Sequence, residues 1–159
     1  MDISFATAER IRLKKAQYCR FIDTKQWRSF EKLAFPDARF TFYGVNNEVL
    51  YDFSSTEELI RPTARLLEHA RSSHRVCNSE LCQISDREIA AIWAMEDYLV
   101  FPAQDGKAGR AMRGYGHYHE IWTQRGQDWF LKKLELRRQV LSSFALGSGG
   151  TQTEAETAG

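Results

Sequence analysis

Proton-transfer chemistry needs an imidazole, a carboxylate that orients it and a group that returns the proton, and this chain contains candidates for each part. His74 stands at the predicted start of a strand, and Asp23 stands at the predicted end of the first helix. Two more imidazoles, His117 and His119, lie in the segment 114–120 of a later strand. If one cavity gathers these side chains, the protein is a small enzyme that needs no cofactor.

The predicted base is His74, because a neutral imidazole can accept and return a proton near neutral pH. Such a base needs a carboxylate that fixes its tautomer and stabilises the cation, and Asp23 is the candidate. A second interpretation of Asp23 stays open, since Gln26 follows three residues later in a spacing typical of a helix cap. The corresponding non-catalytic interpretation of His74 is a polar residue at the end of a strand.

His117 and His119 point to the same face of their strand, because side chains alternate along a strand. That arrangement could chelate a metal, but Glu120 lies on the opposite face and no further His follows in the sequence. We therefore predict no metal site. The pair is expected to place His119 in the pocket and His117 near its rim.

Two predicted strands carry one charged residue within an apolar stripe. Asp97 shares a face with Trp93 and Met95, and Arg138 shares a face with leucines on the last strand. A buried charge without a partner is costly, so Asp97 is expected either at the pocket or paired with a base such as Arg138. Arg138 is expected to pair with an acid or to hold an anionic or carbonyl group.

The elements that position these residues follow from the spacing of apolar side chains. Helical periodicity predicts a helix over 7–22, a short helix that ends near residue 33 and a third helix that ends near residue 69. Alternation places Phe40 and Phe42 on the apolar face of a strand over 38–43, which a turn joins to a return strand at 48–53. Four long strands are then predicted at 74–84, 88–101, 111–124 and 128–142. This order predicts an α+β fold, with helices on one face of a curved, mostly antiparallel sheet and a pocket between them.

The composition indicates a single domain. Residues 1–146 form the predicted domain, and the segment 147–159, which lacks large apolar side chains, is a predicted disordered tail. A net charge of +1, from 22 basic and 21 acidic residues, argues against nucleic acid or an anionic membrane as partner. No stretch approaches the roughly 20 apolar residues of a membrane span. Three cysteines without CxxC spacing indicate reduced, buried thiols in a cytoplasmic protein.

Several segments, taken in order, resemble the SnoaL-like family of the nuclear transport factor 2-like superfamily. The resemblance covers about residues 5–142 and rests on the segments 18–27, 35–40, 74–81, 93–98, 114–120 and 129–138. It implies an α+β cone with a deep apolar pocket, assembled as a homodimer or homotrimer. Family members include dehydratases, a dehydrochlorinase and lyases of lignin breakdown.

The resemblance also implies roles for particular residues. In several members a His on the first long strand pairs with an Asp after the first helix, and the residues here are His74 and Asp23. It further implies Tyr18, Asp97 and Arg138 as pocket residues. One departure is the absence of the second His that relatives often carry close to the first on that strand.

The function expected is that of a cofactor-independent lyase, which eliminates water or formaldehyde from a small hydrophobic substrate, a hydroxylated aromatic or polycyclic compound. His74 would be the base and Asp23 its orienting acid, Tyr18 or His119 would donate a proton, and Arg138 would hold a substrate oxygen. The remaining predicted pocket residues are Asp97, Trp93, Met95, Phe40, Phe42 and His117. Two alternatives stay open: an isomerase or epoxide hydrolase on the same scaffold, and a non-catalytic binding or assembly module.

Overall fold

Three helices precede or interrupt the sheet in the computed structural model, which describes residues 3–146. Helix α1 spans Phe5–Asp23, α2 spans Trp27–Glu31 and α3 spans Thr56–Leu67. Ser4 and Ser55 cap α1 and α3, because each hydroxyl accepts a hydrogen bond from the backbone N–H three residues later. The predicted tail, 147–159, lies outside the described residues.

Six strands form one sheet in the order β2-β1-β6-β5-β4-β3. The strands are β1 Ala34–Tyr43, β2 Val49–Phe53, β3 Arg71–Ser85, β4 Glu88–Phe101, β5 Arg110–Arg125 and β6 Asp128–Ala145. All neighbours are antiparallel except β1 and β6, which run parallel. The predicted α+β class with a curved, mostly antiparallel sheet is confirmed.

The element boundaries differ from the prediction at several strand ends. β1 begins at Ala34 rather than after Pro36, and its pairing with β6 is irregular between Ala34 and Arg39. An irregularity at this point accommodates Pro36, which has no N–H to donate to a ladder. β3 begins at Arg71, three residues before the predicted start, so His74 lies inside the strand rather than at its end.

The core lies between the helices and one face of the sheet, called here the inner face. Alternate residues of β4, β5 and β6 are buried on that face, and α1 packs against β3 at one edge. Several residues near the end of β6 are exposed. Among residues 3–146, no helix is both long and apolar enough to cross a membrane.

The cysteine prediction was wrong for two of three residues. Cys19 is buried on α1, but Cys77 and Cys82 are exposed. Both exposed thiols lie on β3, which is an edge strand with a neighbour on one side only. All three are free thiols.

Candidate active site

His74 and Asp23 are brought together where the end of α1 meets the edge strand β3. The Nδ1 atom of His74 lies 2.6 Å from Oδ1 of Asp23. The backbone N–H of His74 donates to Oδ2 of Asp23 at 2.9 Å, and the Ser72 hydroxyl donates to Oδ1 at 2.8 Å. Three donors from β3 therefore fix the orientation of one carboxylate at the helix end.

This hydrogen-bond pattern assigns the tautomer of His74. A carboxylate accepts hydrogen bonds, so Nδ1 carries the proton that faces Asp23, and Nε2 keeps its lone pair. Burial alone would raise the pKa of the Asp23 carboxyl, but hydrogen bonds from His74 and Ser72 outweigh it and lower the pKa below its usual value. In the neutral imidazole, Nε2 is therefore the proton acceptor and Nδ1 is backed by an ionised carboxylate, the arrangement of a general base.

The capping interpretation of Asp23 is wrong. α1 ends at Asp23, and the chain reverses through Lys25, whose φ is 56°. α2 then begins after Gln26, with no side-chain hydrogen bond at its cap. The Asp23 carboxylate faces β3 because its helix has already ended, so its hydrogen bonds serve His74 instead of α2.

An open pocket of about 500 Å³ contains both members of the pair. Its helical wall comes from one stripe of α1, since the contributing residues are spaced by three or four. Its other wall is a short run of β3. The lining residues are Ala16, Cys19, Arg20, Asp23, His74, Arg75 and Val76.

Tyr18 lies in the core beside this pocket, not in its wall. The Tyr18 ring centroid is 5.1 Å from that of Phe30 and 6.0 Å from that of Tyr118. Burial, reinforced by the negative charge of Glu120, raises the pKa of the Tyr18 phenol well above its usual value. The expected place of Tyr18 at the pocket was therefore wrong, because neighbouring aromatic rings enclose it.

Asp97 and Arg138 form a buried ion pair on the inner face. The guanidinium donates to both carboxylate oxygens, at 3.2 Å and 2.6 Å, and the Asp97 side chain is only 2% exposed. A Cβ on Gly114 would stand 1.8 Å from Nη1 of Arg138, so a glycine at this position makes room for the pair. Of the two alternatives for Asp97, pairing with Arg138 is confirmed, and the same contact gives Arg138 its expected acid. The role of Arg138 at a substrate oxygen stays a prediction.

The apolar residues predicted to line the pocket are instead part of the core. Trp93, Met95 and Phe40 are buried, and Phe42 packs against them while partly buried. All four contribute to the core or pack against it. None of them lines the pocket that contains His74 and Asp23, so their role in substrate binding stays a prediction.

His117 and His119 lie on the outer face of the sheet. In β5 the buried inner positions are the even-numbered ones from Gly114 to Trp122, so odd-numbered side chains point away from the core. His74 pairs across β4 with Asp97 and Gly114 and therefore belongs to the inner face. The placement of His119 in the pocket and of His117 at its rim was wrong, because the face that they share is the outer one. Partial burial and the charge of Arg137 lower the pKa of His119.

A second buried ion pair, Lys15 with Glu120, was missed by the sequence reasoning. Both side chains are 0% exposed and in direct contact. The other Glu120 oxygen, Oε2, accepts from the indole nitrogens of Trp93 and Trp122, each at 2.8 Å. The signal existed, because Lys15 interrupts the apolar stripe of α1 just as Asp97 interrupts that of β4.

Within residues 3–146, no group of three or more His, Cys, Asp or Glu side chains is arranged to hold a metal ion. His117 and His119 share the outer face without a third such ligand among those residues.

This fold and this His–Asp pair define the class of protein. A profile of the SnoaL-like domain matches residues 5–135. A protein of Gibberella zeae named "Probable cyclase FGR4" is 34% identical over 144 residues, which cover 87% of this chain and 95% of that protein. The chain belongs to the SnoaL-like family, and the predicted resemblance is confirmed.

Solved structures show the same fold at low identity. A hexachlorocyclohexane dehydrochlorinase, LinA type 2, superposes with a TM-score of 0.74 at 15% identity, covering 96% of each chain. A protein of Novosphingobium aromaticivorans named "Putative Scytalone Dehydratase" gives a TM-score of 0.73 at 12% identity, covering 94% of this chain and 91% of that one. At these identities the structural likeness establishes the architecture.

Proposed function

We propose that this protein is a cofactor-independent lyase that converts a small hydrophobic molecule by acid–base catalysis at His74 and Asp23. The observation that carries the proposal is the 2.6 Å contact between Nδ1 of His74 and the Asp23 carboxylate inside a pocket. That contact leaves Nε2 as a proton acceptor. A non-catalytic module has no need of an imidazole that a carboxylate orients in the wall of a pocket.

The proposed reaction moves one proton and returns it. Nε2 of His74 takes a proton from a substrate carbon, and the electron pair forms a double bond as the bond to a neighbouring hydroxyl breaks. The departing oxygen takes the proton from the imidazolium and leaves as water, so His74 returns to its neutral state. Asp23 stabilises the imidazolium between these steps, and general acid–base help of this kind is worth roughly 10²–10⁴ in rate.

His74 takes over the proton-donor role expected of Tyr18 or His119. The Tyr18 phenol is buried and its pKa is raised, so it holds its proton tightly. His119 lies on the other face of the sheet. A single imidazole that first accepts and then donates the proton needs neither residue.

Cyclisation is the second candidate, favoured by the name of the Gibberella zeae relative at 34% identity. In a cyclisation the same base would remove a proton from carbon, and the resulting carbanion would attack a carbonyl of the same molecule. The names of the two structural neighbours describe eliminations. Proton abstraction from carbon begins both reactions, so the pair His74–Asp23 supports either outcome.

A panel of hydroxylated aromatic and polycyclic compounds, analysed by mass spectrometry, separates these reactions. Elimination gives a product lighter by one water or one formaldehyde. Cyclisation or isomerisation gives a product of unchanged mass, and epoxide hydrolysis gives one heavier by water. Products of only unchanged or increased mass would contradict the lyase proposal. Formation of the same products at the same rate by His74→Ala would contradict acid–base catalysis by His74.

A further inference from the structure

The second half of β6 has a free edge in the described part of the chain. β6 runs to Ala145, but its parallel neighbour β1 pairs with it only as far as the register of Tyr43 with Arg137. Within residues 3–146, the segment 139–145, called here the β6 edge, therefore pairs with β5 on one side and with no strand on the other. Backbone N–H and C=O groups along such an edge can accept a further strand.

The β6 edge lacks the features that keep an edge strand from pairing. Its sequence, Gln-Val-Leu-Ser-Ser-Phe-Ala, contains no charged residue and no proline. Val140 is 46% exposed and Leu141 is 39% exposed, and the two side chains lie on opposite faces of the strand. From Val140 to Ala145 the register with β5 is continuous, so the strand is regular along this edge.

The two outer edges of the sheet carry such protective features. β3 exposes the charged residues Arg75 and Glu80 and has an irregular register around Asn78, whose φ is 49°. β2 is short, includes the acidic Asp52 and has an irregular register with β1. Charges and bulges of this kind oppose edge-to-edge pairing. Among the described strands, the β6 edge is therefore the least protected against pairing.

We propose that the β6 edge pairs with the same edge of a second copy of this chain, antiparallel and about a two-fold axis. Identical strands paired in this way exchange equivalent hydrogen bonds, and residues directly opposite each other point to the same face. Pairing over the whole of 139–145 places Ser142 at the axis and Val140 opposite the partner's Phe144. The symmetry makes this apolar pair twice, and the self-complementarity of the edge selects a second copy as its partner.

Analytical ultracentrifugation of the full-length protein, from about 1 µM to about 1 mM, measures the dissociation constant of the dimer. Val140→Lys should raise that constant about tenfold, because the symmetry removes the apolar pair at two places. Leu141→Lys changes a second exposed position of the β6 edge and should weaken the dimer about tenfold as well. Ile84→Lys is the matched control: Ile84 is 51% exposed on β3, at the opposite edge of the sheet, and the same change there should leave the constant unchanged.

Two double variants test the register of the pairing. In Val140→Lys/Phe144→Glu each lysine would face a glutamate of the partner, whereas positions 140 and 144 of one copy lie about 13 Å apart. This variant should dimerise within about threefold of wild type. Val140→Lys/Phe144→Lys should dimerise more weakly than Val140→Lys alone, because like charges would face each other. Circular dichroism checks folding, since Phe144 is partly buried.

Several outcomes overturn the proposal. A full-length protein that stays monomeric over this range would leave the β6 edge to an extended segment of another protein. A trimer overturns it too, since pairing about a two-fold axis closes at two copies. A dimer that Val140→Lys does not weaken, or that Ile84→Lys weakens equally, would not depend on this edge. A charge-paired double variant that dimerises no better than Val140→Lys would contradict the antiparallel register.

Discussion

Removing one member of the buried pair Lys15–Glu120 should destabilise the fold strongly. The Lys15 ammonium lies 3.9 Å from the ring centroid of Tyr18 and 3.5 Å from that of Tyr118, with Glu120 as its acid. All of these contacts are inside the core. The pair is therefore enclosed by the core, with no water to solvate a charge left alone.

The cost of Glu120→Gln follows from its hydrogen bonds. One Glu120 oxygen accepts from Lys15, and the other accepts from the indole N–H groups of Trp93 and Trp122. Both ends of the side chain at position 120 must therefore be hydrogen-bond acceptors. A glutamine amide has one oxygen, and either orientation turns its NH₂ group toward another donor. Breaking a fully buried ion pair costs about 3–5 kcal/mol, because the remaining charge is left uncompensated.

Urea denaturation of four proteins measures this prediction: wild type, Lys15→Met, Glu120→Gln and the double variant. Each single variant should lose about 3–5 kcal/mol of unfolding free energy. The double variant should lose less than the sum by at least about 2 kcal/mol, because no buried charge remains unpaired. The exposed pair of Lys132 with Asp37 offers a matched control, and Lys132→Met should leave the unfolding free energy nearly unchanged.

Additive losses in the double variant would refute the reasoning, since the two side chains would then not be coupled. A Lys15→Met variant as stable as wild type would refute it as well. Either result would mean that the core does not depend on this pair.

Three further predictions concern single positions. Asp23→Asn should be less stable than wild type at neutral pH in thermal melts. Because the pKa of Asp23 is lowered on folding, the difference should shrink as the pH falls below about 4 and through the lowered pKa. Gly114→Ala should lose about 1–3 kcal/mol in denaturation, because the new Cβ would overlap the Arg138 guanidinium. Burial raises the pKa of the Cys19 thiol to about 11. Alkylation at about pH 8 should therefore modify the exposed thiols, Cys77 and Cys82, and leave Cys19 unmodified. Mass spectrometry of the alkylated protein measures this.

Each of these has an outcome that contradicts it. A stability difference for Asp23→Asn that grows in acid would reverse the sign of the linkage. An unchanged melting temperature for Gly114→Ala would show that the ion pair can move away at no cost. Rapid alkylation of Cys19 in the native protein would contradict its burial.

The fold could be predicted from the sequence because its signals are local. Alternating burial along β4 and β5 is visible as alternating residue types, and the turns between long strands are marked by polar residues and glycine. Strand ends were less predictable. β3 begins at Arg71 because it pairs with β4 as far as Val100, and pairing of this kind depends on residues distant in sequence.

The site could be predicted in part. Asp23 and His74 were identified by residue type and element position, and the structure joins them. The helix cap was a competing interpretation of Asp23 that only the end of α1 resolves. The placement predicted for His119 was wrong for a different reason: local alternation defines two faces of a strand but does not show which face meets the helices. Tyr18 lies on a helix, and Tyr118, one of the rings that enclose it, is distant in sequence. Assembly as a homodimer or homotrimer stays a prediction.

The central claim is that Nε2 of His74, oriented by Asp23, removes the substrate proton. Its most direct test is the turnover number of His74→Ala on a substrate that the wild-type protein converts, with circular dichroism and melting temperature as checks on folding. Turnover should fall by at least roughly 10²–10⁴ while the fold survives. Turnover retained by a folded His74→Ala protein would contradict the account.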